Sequence, residues 1–389
     1  MHSTGILETS KATNPLKALL DYGQSLWLDY IRRDLLTSGR LKKMIEEDGL
    51  RGMTSNPSIF EKAIADSSLY DDILQSLASR NDLSPTARYE QIAIRDIQSA
   101  ADILRPVYEE SHFRDGYVSL EVSPLLALET QKTIEEGRRL WKSVSRENVM
   151  IKVPGTAQGI PAIRQLISEG ININVTLLFA QEVYEEVAQT YIAGLEDLSK
   201  RGGNLKKMAG VASFFISRID TLVDSIIDDK LKTTSDAKQQ ALLQSLKGKV
   251  AIANGKLAYH KYQHIFSGAR WQALSSKGAQ TQRVLWASTS TKNPAYNDVM
   301  YVEELIGPDT VNTMPPATVD AFRDHGKLRN SLTEDIPNAQ KVMDDLARAG
   351  ISIQEVTTRL TTEGVKLFAD AFNKLLQAVE KSTQQKARQ

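Results

Sequence analysis

Short apolar runs alternate with amphipathic stretches about eight times along this chain, and that alternation limits the architectures open to it. The apolar runs cover residues 25–31, 52–60, 117–124, 149–153, 171–179, 208–218, 283–292 and 309–313. They are rich in β-branched and aromatic residues and read as strands. Between them lie stretches of helical period at 32–47, 66–80 and 85–108, 126–144, 159–168, 181–201 and 221–266, with helices again beyond Thr318. An additional helix opens at Asn14, a cap followed by Pro15 at the first helical position. Strands that each feed a helix must pair in parallel through right-handed crossovers. The sheet is then either open and doubly wound or closed into a (β/α)8 barrel. No GxGxxG follows the first strand and no Walker A motif occurs, which disfavours the open, nucleotide-binding form. A barrel core takes about 250 residues, and the chain has 389. We expect one TIM-barrel domain over 1–389, its core at about 25–318, with a helical insertion after Arg218 and a C-terminal helical extension at 319–389. The low-complexity patch at 230–249 reads as a surface excursion.

The strand at 149–153 reads Val-Met-Ile-Lys-Val and carries Lys152 among apolar neighbours. A lysine there must either reach solvent or give up its proton. A neutral amine attacks carbonyls to form a Schiff base, so a strand-end lysine reaching water and a catalytic one are both open from this stretch alone. The other strands tilt the balance. Nearly all of them place polar residues near their C-terminal ends: Asp29, Asn56, Glu121, Asn174 with Thr176, Ser213 to Arg218, and Lys292. Function in a (β/α)8 barrel collects at that end. A lysine among two carboxylates and a threonine can attack a ketose, move protons and position a water. Asn56 and Asn174 suit sugar hydroxyls, while Arg218, Lys292 and Ser213 suit a phosphate. Taken singly, each has a plainer role: Asp29 could pair with Arg32 or Arg33, Asn56 could only cap its helix, and Arg218 could pair with Asp220.

Composition removes other classes. Lys+Arg and Asp+Glu both number 48, so no basic excess marks a nucleic-acid partner. The absence of cysteine excludes disulfides, thiolate metal sites and a cysteine nucleophile. His260 and His264 lie four apart on a helical stretch with no third ligand nearby, and read as ordinary histidines rather than a metal site. No apolar run approaches the ~20 residues of a membrane span, and the polar start lacks a hydrophobic signal core. The expectation is a cytoplasmic protein with no membrane partner.

Five segments resemble the transaldolase family and occur in its order: TSNPSIF at 54–60, SLEVSP at 119–124, MIKVPGT at 150–156, INVTLLF at 173–179 and ASFFISRID at 212–220. The resemblance runs from about Trp27 to Thr318. It is to the longer members with extra helical segments, to which ASTSTKNPAYND at 287–298 is also similar. It implies Lys152 as the Schiff-base nucleophile, Asp29 as acid/base, and Glu121 with Thr176 holding a catalytic water. It further implies Asn56 and Asn174 on the dihydroxyacetone hydroxyls, and Ser213 and Arg218 on the phosphate. The implied reaction moves a dihydroxyacetone unit from sedoheptulose 7-phosphate to glyceraldehyde 3-phosphate, giving erythrose 4-phosphate and fructose 6-phosphate, with no cofactor or metal. Lys292 stands where compact members place an arginine. Phe215 matches the family, whereas the related fructose 6-phosphate aldolases carry tyrosine there and glutamine at the Glu121 position. A class I aldolase and a catalytically dead sugar-phosphate-binding barrel are the competing readings.

Overall fold

A computed structural model of the chain describes residues 14–65, 67–80 and 82–387. The polar start of the chain and Asp66 lie outside the described residues. Eight strands pair in parallel in sequence order and close into a barrel: β1 Gln24–Asp29, β2 Leu50–Thr54, β3 Tyr117–Glu121, β4 Val149–Pro154, β5 Ile173–Leu178, β6 Gly210–Phe215, β7 Arg283–Ala287 and β8 Thr310–Met314. The closing pair, β8 on β1, sets Leu26 opposite Asn312 and Trp27 opposite Thr313. The (β/α)8 expectation therefore holds, with a helical insertion and a C-terminal helix around it.

Several boundaries differ for local reasons. The second strand stops at Thr54, and Pro57 opens the helix Pro57–Ala65 inside the run read as strand; proline lacks the N–H a ladder needs and suits a first helical turn. The stretch at 32–47 is two helices, Arg33–Thr37 and Arg40–Glu47, parted by Gly39 at φ 80°. The seventh strand ends at Ala287, because Ser288 takes a left-handed φ of 57°. Ser290 and Lys292 consequently sit in a loop beyond the strand. The residues at 230–249, read as a surface excursion, include exposed positions along with Leu243 and Leu246, which are buried in the core.

Packing inside the barrel is tight. Gly52 lies beside Trp27 in the β1–β2 register, and a Cβ on Gly52 would meet Trp27 Cε2 at 2.4 Å. Trp27 is fully buried, so the ring cannot retreat into solvent. Gly52→Ala is expected to cost about 1–3 kcal/mol through overpacking, read as a lower denaturant midpoint at unchanged slope. At the N-terminal end of the barrel, Arg283 donates to Ser25 Oγ and to Asp115 Oδ1, each at 2.7 Å. Ser25 donates to the other Asp115 oxygen at 2.8 Å. This buried network is satisfied within the protein and plugs the end away from the polar rim.

The C-terminal helix Ile353–Ala387 has 35 residues. It packs on the helix Pro57–Ala65 and reaches the end of β5, so it lies over the C-terminal mouth of the barrel. Lys386 pairs with Asp71 at 2.7 Å near its far end. Among the described residues no helix is long and apolar enough to cross a membrane.

Candidate active site

Strand register assembles the site. Glu121 on β3 is the direct neighbour of Lys152 on β4. Lys152 in turn neighbours Asn174 on β5, and Pro154 neighbours Thr176. Residues two apart on a strand share a face, so Asn174 and Thr176 both turn to the side occupied by Lys152. Across the barrel, Asp29 on β1 neighbours Thr54 on β2. A cleft of about 640 Å³ opens at this end, and its walls include Asp29, Asn56, Lys152, Thr176, Ser213, Phe215, Arg218 and Lys292. Glu121 and Asn174 do not line it, but the strand register sets both beside Lys152. All ten residues singled out from the sequence thus converge on one end of the barrel.

Lys152 is 5% exposed and Glu121 9% exposed. Their charged ends stand 3.3 Å apart, an ion-pair separation that lacks the alignment of a directed hydrogen bond, since neither Glu121 oxygen has a hydrogen-bond partner. The Lys152 ammonium reaches the carbonyl oxygen of Ser55 at 3.4 Å. Burial holds the Glu121 carboxyl above the usual carboxylate range; the adjacent Lys152 charge opposes this and the Asp29 charge adds to it. Replacing such a buried pair by apolar residues is often neutral or stabilising by about 1–4 kcal/mol, so stability does not account for it. The hydroxyl of Thr176 is likewise buried without a partner. Buried polar atoms are normally bonded, and here three unbonded oxygens sit around the one lysine.

Asp29 is free of the ion pairs that would have made it structural. Arg32 pairs with Asp34 at 2.6 Å, and Arg33 with Asp72 and Asp96 at 3.1 and 3.3 Å. Asp29 instead accepts from the Thr54 hydroxyl at 2.9 Å. Thr54 has a single hydroxyl proton, so in its 3.0 Å contact with Thr313 the donor is Thr313. Among the described residues no donor bonds the second Asp29 oxygen, and Asp29 lines the cleft. Asn56 does both things open to it: its side chain accepts from Ile59 N at 3.2 Å as a cap, and it lines the cleft. Asn174 donates to Ser119 Oγ at 3.0 Å and accepts from Ser213 Oγ at 2.7 Å. Its amide is thereby oriented, with one N–H left over.

Arg218 and Lys292 form a cationic corner. Arg218 sits in the first turn of the helix Ser217–Thr233; Lys292 sits in the loop after β7 and donates to Ser290 Oγ at 2.7 Å. Among the described residues neither has a carboxylate within ion-pair distance. Asp220 does not engage Arg218; it accepts from Tyr301 and from Ala251 N at 2.9 and 2.8 Å. Burial lowers the Arg218 guanidinium, and burial together with the Arg218 charge lowers the Lys292 ammonium. The two segments are pinned together where Ser217 meets Ser288, side chain to side chain at 2.9 Å and Ser217 N to Ser288 O at 3.1 Å. Arg218 is half-buried and Lys292 exposed, and both line the cleft; two cations on one cleft wall with no carboxylate partner among the described residues have the chemistry to hold an anion.

Sequence reasoning missed the Thr54–Asp29 bond and Phe368. The C-terminal helix supplies Phe368, whose ring centroid stands 5.5 Å from the Lys152 nitrogen. No group of three or more potential metal-ligating side chains occurs among the described residues.

The family model described as Transaldolase/Fructose-6-phosphate aldolase matches residues 26–379. A transaldolase of Trichodesmium erythraeum is 49% identical over 370 residues, covering 95% of this chain and 97% of its own length. Transaldolase 2 of Nostoc punctiforme is 49% identical over 372 residues, with 95% and 97% coverage. A transaldolase of Saccharopolyspora erythraea is 43% identical over 371 residues, with 95% and 98% coverage. Barrel, lysine site and a match that spans nearly the whole chain agree: the protein belongs to the transaldolase/fructose-6-phosphate aldolase family.

Proposed function

We propose that this chain is a transaldolase that works through a Schiff base on Lys152. The observation that carries the reading is the buried Lys152–Glu121 pair at 3.3 Å, set at the floor of a cleft whose opposite corner holds Arg218 and Lys292. Lys152 adds to C2 of the ketose. Glu121, its proton affinity raised by burial, and Thr176 hold the water that relays protons as the carbinolamine loses hydroxide. The unbonded oxygen of Asp29 then takes the proton from the C4 hydroxyl. The C3–C4 bond breaks, the aldose leaves, and the three-carbon enamine stays on Lys152. The acceptor aldehyde is attacked by that enamine, Asp29 returns the proton, and water frees the new ketose.

Asn56 and Asn174 hold the hydroxyls of the dihydroxyacetone unit. The Ser213 proton is already given to Asn174, so we place Ser213 with the sugar hydroxyls as an acceptor. The phosphate then falls to Arg218, Lys292 and Ser290. Phe215 packs tilted against Phe179, ring centroids 5.2 Å apart, and brings no hydroxyl to the intermediate, which favours transfer over release. Sedoheptulose 7-phosphate and glyceraldehyde 3-phosphate are the physiological pair in this reading, and a cytoplasmic location belongs to it.

The test is acceptor dependence. Fructose 6-phosphate with erythrose 4-phosphate is expected to yield sedoheptulose 7-phosphate and glyceraldehyde 3-phosphate. Fructose 6-phosphate alone is expected to yield no more glyceraldehyde 3-phosphate than enzyme present. Sustained release of free dihydroxyacetone without acceptor identifies an aldolase instead.

A further inference from the structure

The C-terminal helix supplies a wall of the active cleft that none of the barrel motifs accounts for. Phe368 is half-buried, lines the cleft, and presents its ring 5.5 Å from the Lys152 nitrogen. The helix is seated firmly there. A Cβ on Gly364 would stand 3.0 Å from Leu177 Cδ2, so the helix packs closely on the end of β5. Leu177 follows Thr176 directly and takes a left-handed φ of 62° where the β5–β6 register slips. One turn further along, Phe372 is buried and packs edge-on against Tyr89 at 5.7 Å. Phe368 is therefore held over the lysine from both sides.

We propose that Phe368 is a further catalytic-site residue, which covers one side of the Lys152 nitrogen, favours the iminium cation and keeps water from the covalent intermediate. The inference rests on the Schiff-base reading of Lys152. An aromatic face within about 6 Å of a cation attracts it electrostatically, more so where water is excluded. Release in place of transfer requires two steps. The enamine carbon takes a proton, giving an iminium; water then adds to its C2, and the C–N bond breaks to return the lysine amine and free dihydroxyacetone, with no net oxidation. An apolar ring over the nitrogen obstructs the water that the second step consumes.

The experiment measures the ratio of free dihydroxyacetone to transferred product, with fructose 6-phosphate as donor and erythrose 4-phosphate as acceptor. Phe368→Ala is expected to raise that ratio severalfold, because water then reaches C2 of the iminium. Phe368→Leu, which keeps apolar cover, is expected to fall between Phe368→Ala and the parent. Phe372→Leu, which loosens the same helix but keeps the Phe368 ring, is expected to lower Tm and to raise the ratio by less than Phe368→Ala. An unchanged ratio in folded Phe368→Ala overturns the proposal, as does an equal rise in Phe372→Leu. Borohydride trapping in the parent protein separates the two levels: with no lysine adduct the Schiff-base reading fails, whereas an adduct with an unmoved ratio fails only the role given to Phe368.

Discussion

Lys152→Met is expected to lower transfer by about 10³-fold or more, the scale on which loss of a covalent nucleophile is felt. Methionine keeps the unbranched apolar stem and removes only the amine, so the strand β4 packing survives. Glu121 is the reason the choice of variant matters. With the ammonium gone, its carboxyl sits buried without a counter-charge, in a place where burial already raises its proton affinity. Breaking one side of a buried pair costs about 3–5 kcal/mol if the other charge stays; protonating Glu121 limits the loss. The sign follows: the raised carboxyl is neutral at low pH, so Lys152→Met is destabilised least in acid and progressively more as pH rises through the shifted range. The double variant Lys152→Met/Glu121→Gln is expected to recover stability at neutral pH and no activity. Chemical denaturation across pH with a coupled transfer assay separates the two effects. Transfer that persists in Lys152→Met would remove the lysine from the mechanism.

The second large effect is expected at the cationic corner. Arg218→Ala or Lys292→Ala should raise KM for phosphorylated ketoses by about 10- to 100-fold, since a charge-assisted hydrogen bond is worth about 1.5–3 kcal/mol. Little change in kcat is expected, because the phosphate lies away from the bond that breaks and its contacts hold ground state and transition state alike. Unphosphorylated fructose should show no penalty, which distinguishes lost phosphate contact from a disturbed cleft. Lysine is a point charge where arginine would offer a fork, so Lys292→Arg is expected to keep or tighten binding. Burial and the neighbouring Arg218 lower the Lys292 ammonium, so its charge is lost with rising pH below the ordinary lysine range. KM for phosphorylated donors should climb in that window, and bound phosphate should push the ammonium back up. Equal KM increases for fructose and fructose 6-phosphate would refute the assignment.

Polar residues inside strands buried on both faces were the legible part of this molecule. Lys152, Glu121, Asn174 and Thr176 stand out because an apolar run has no packing use for them, and strand pairing puts Glu121, Lys152 and Asn174 in register, with Thr176 two residues further along β5. Eight strand signals with helical stretches between them specified a parallel sheet, and the missing GxGxxG together with polar strand ends favoured its closure into a barrel. What escaped depends on contacts distant along the chain. The Arg283–Asp115 plug joins residues 168 apart, and nothing near either residue announces the other. Phe368 belongs to an amphipathic helix, whose apolar face has the same period whether it covers a core or a reacting amine. The plainer reading of Arg218, a pair with Asp220, was excluded only once Tyr301 and the Ala251 N–H were found on that carboxylate. The bond from Ser213 to Asn174 likewise joins two strands and is not visible in strand pattern.

The most direct test of the account is reductive trapping. The protein is incubated with fructose 6-phosphate, reduced with borohydride, digested, and the modified peptide located by mass. A three-carbon reduced adduct on Lys152, absent from Lys152→Met, is the predicted result. No adduct in folded protein, or one on a different lysine, would contradict the covalent mechanism proposed for this cleft.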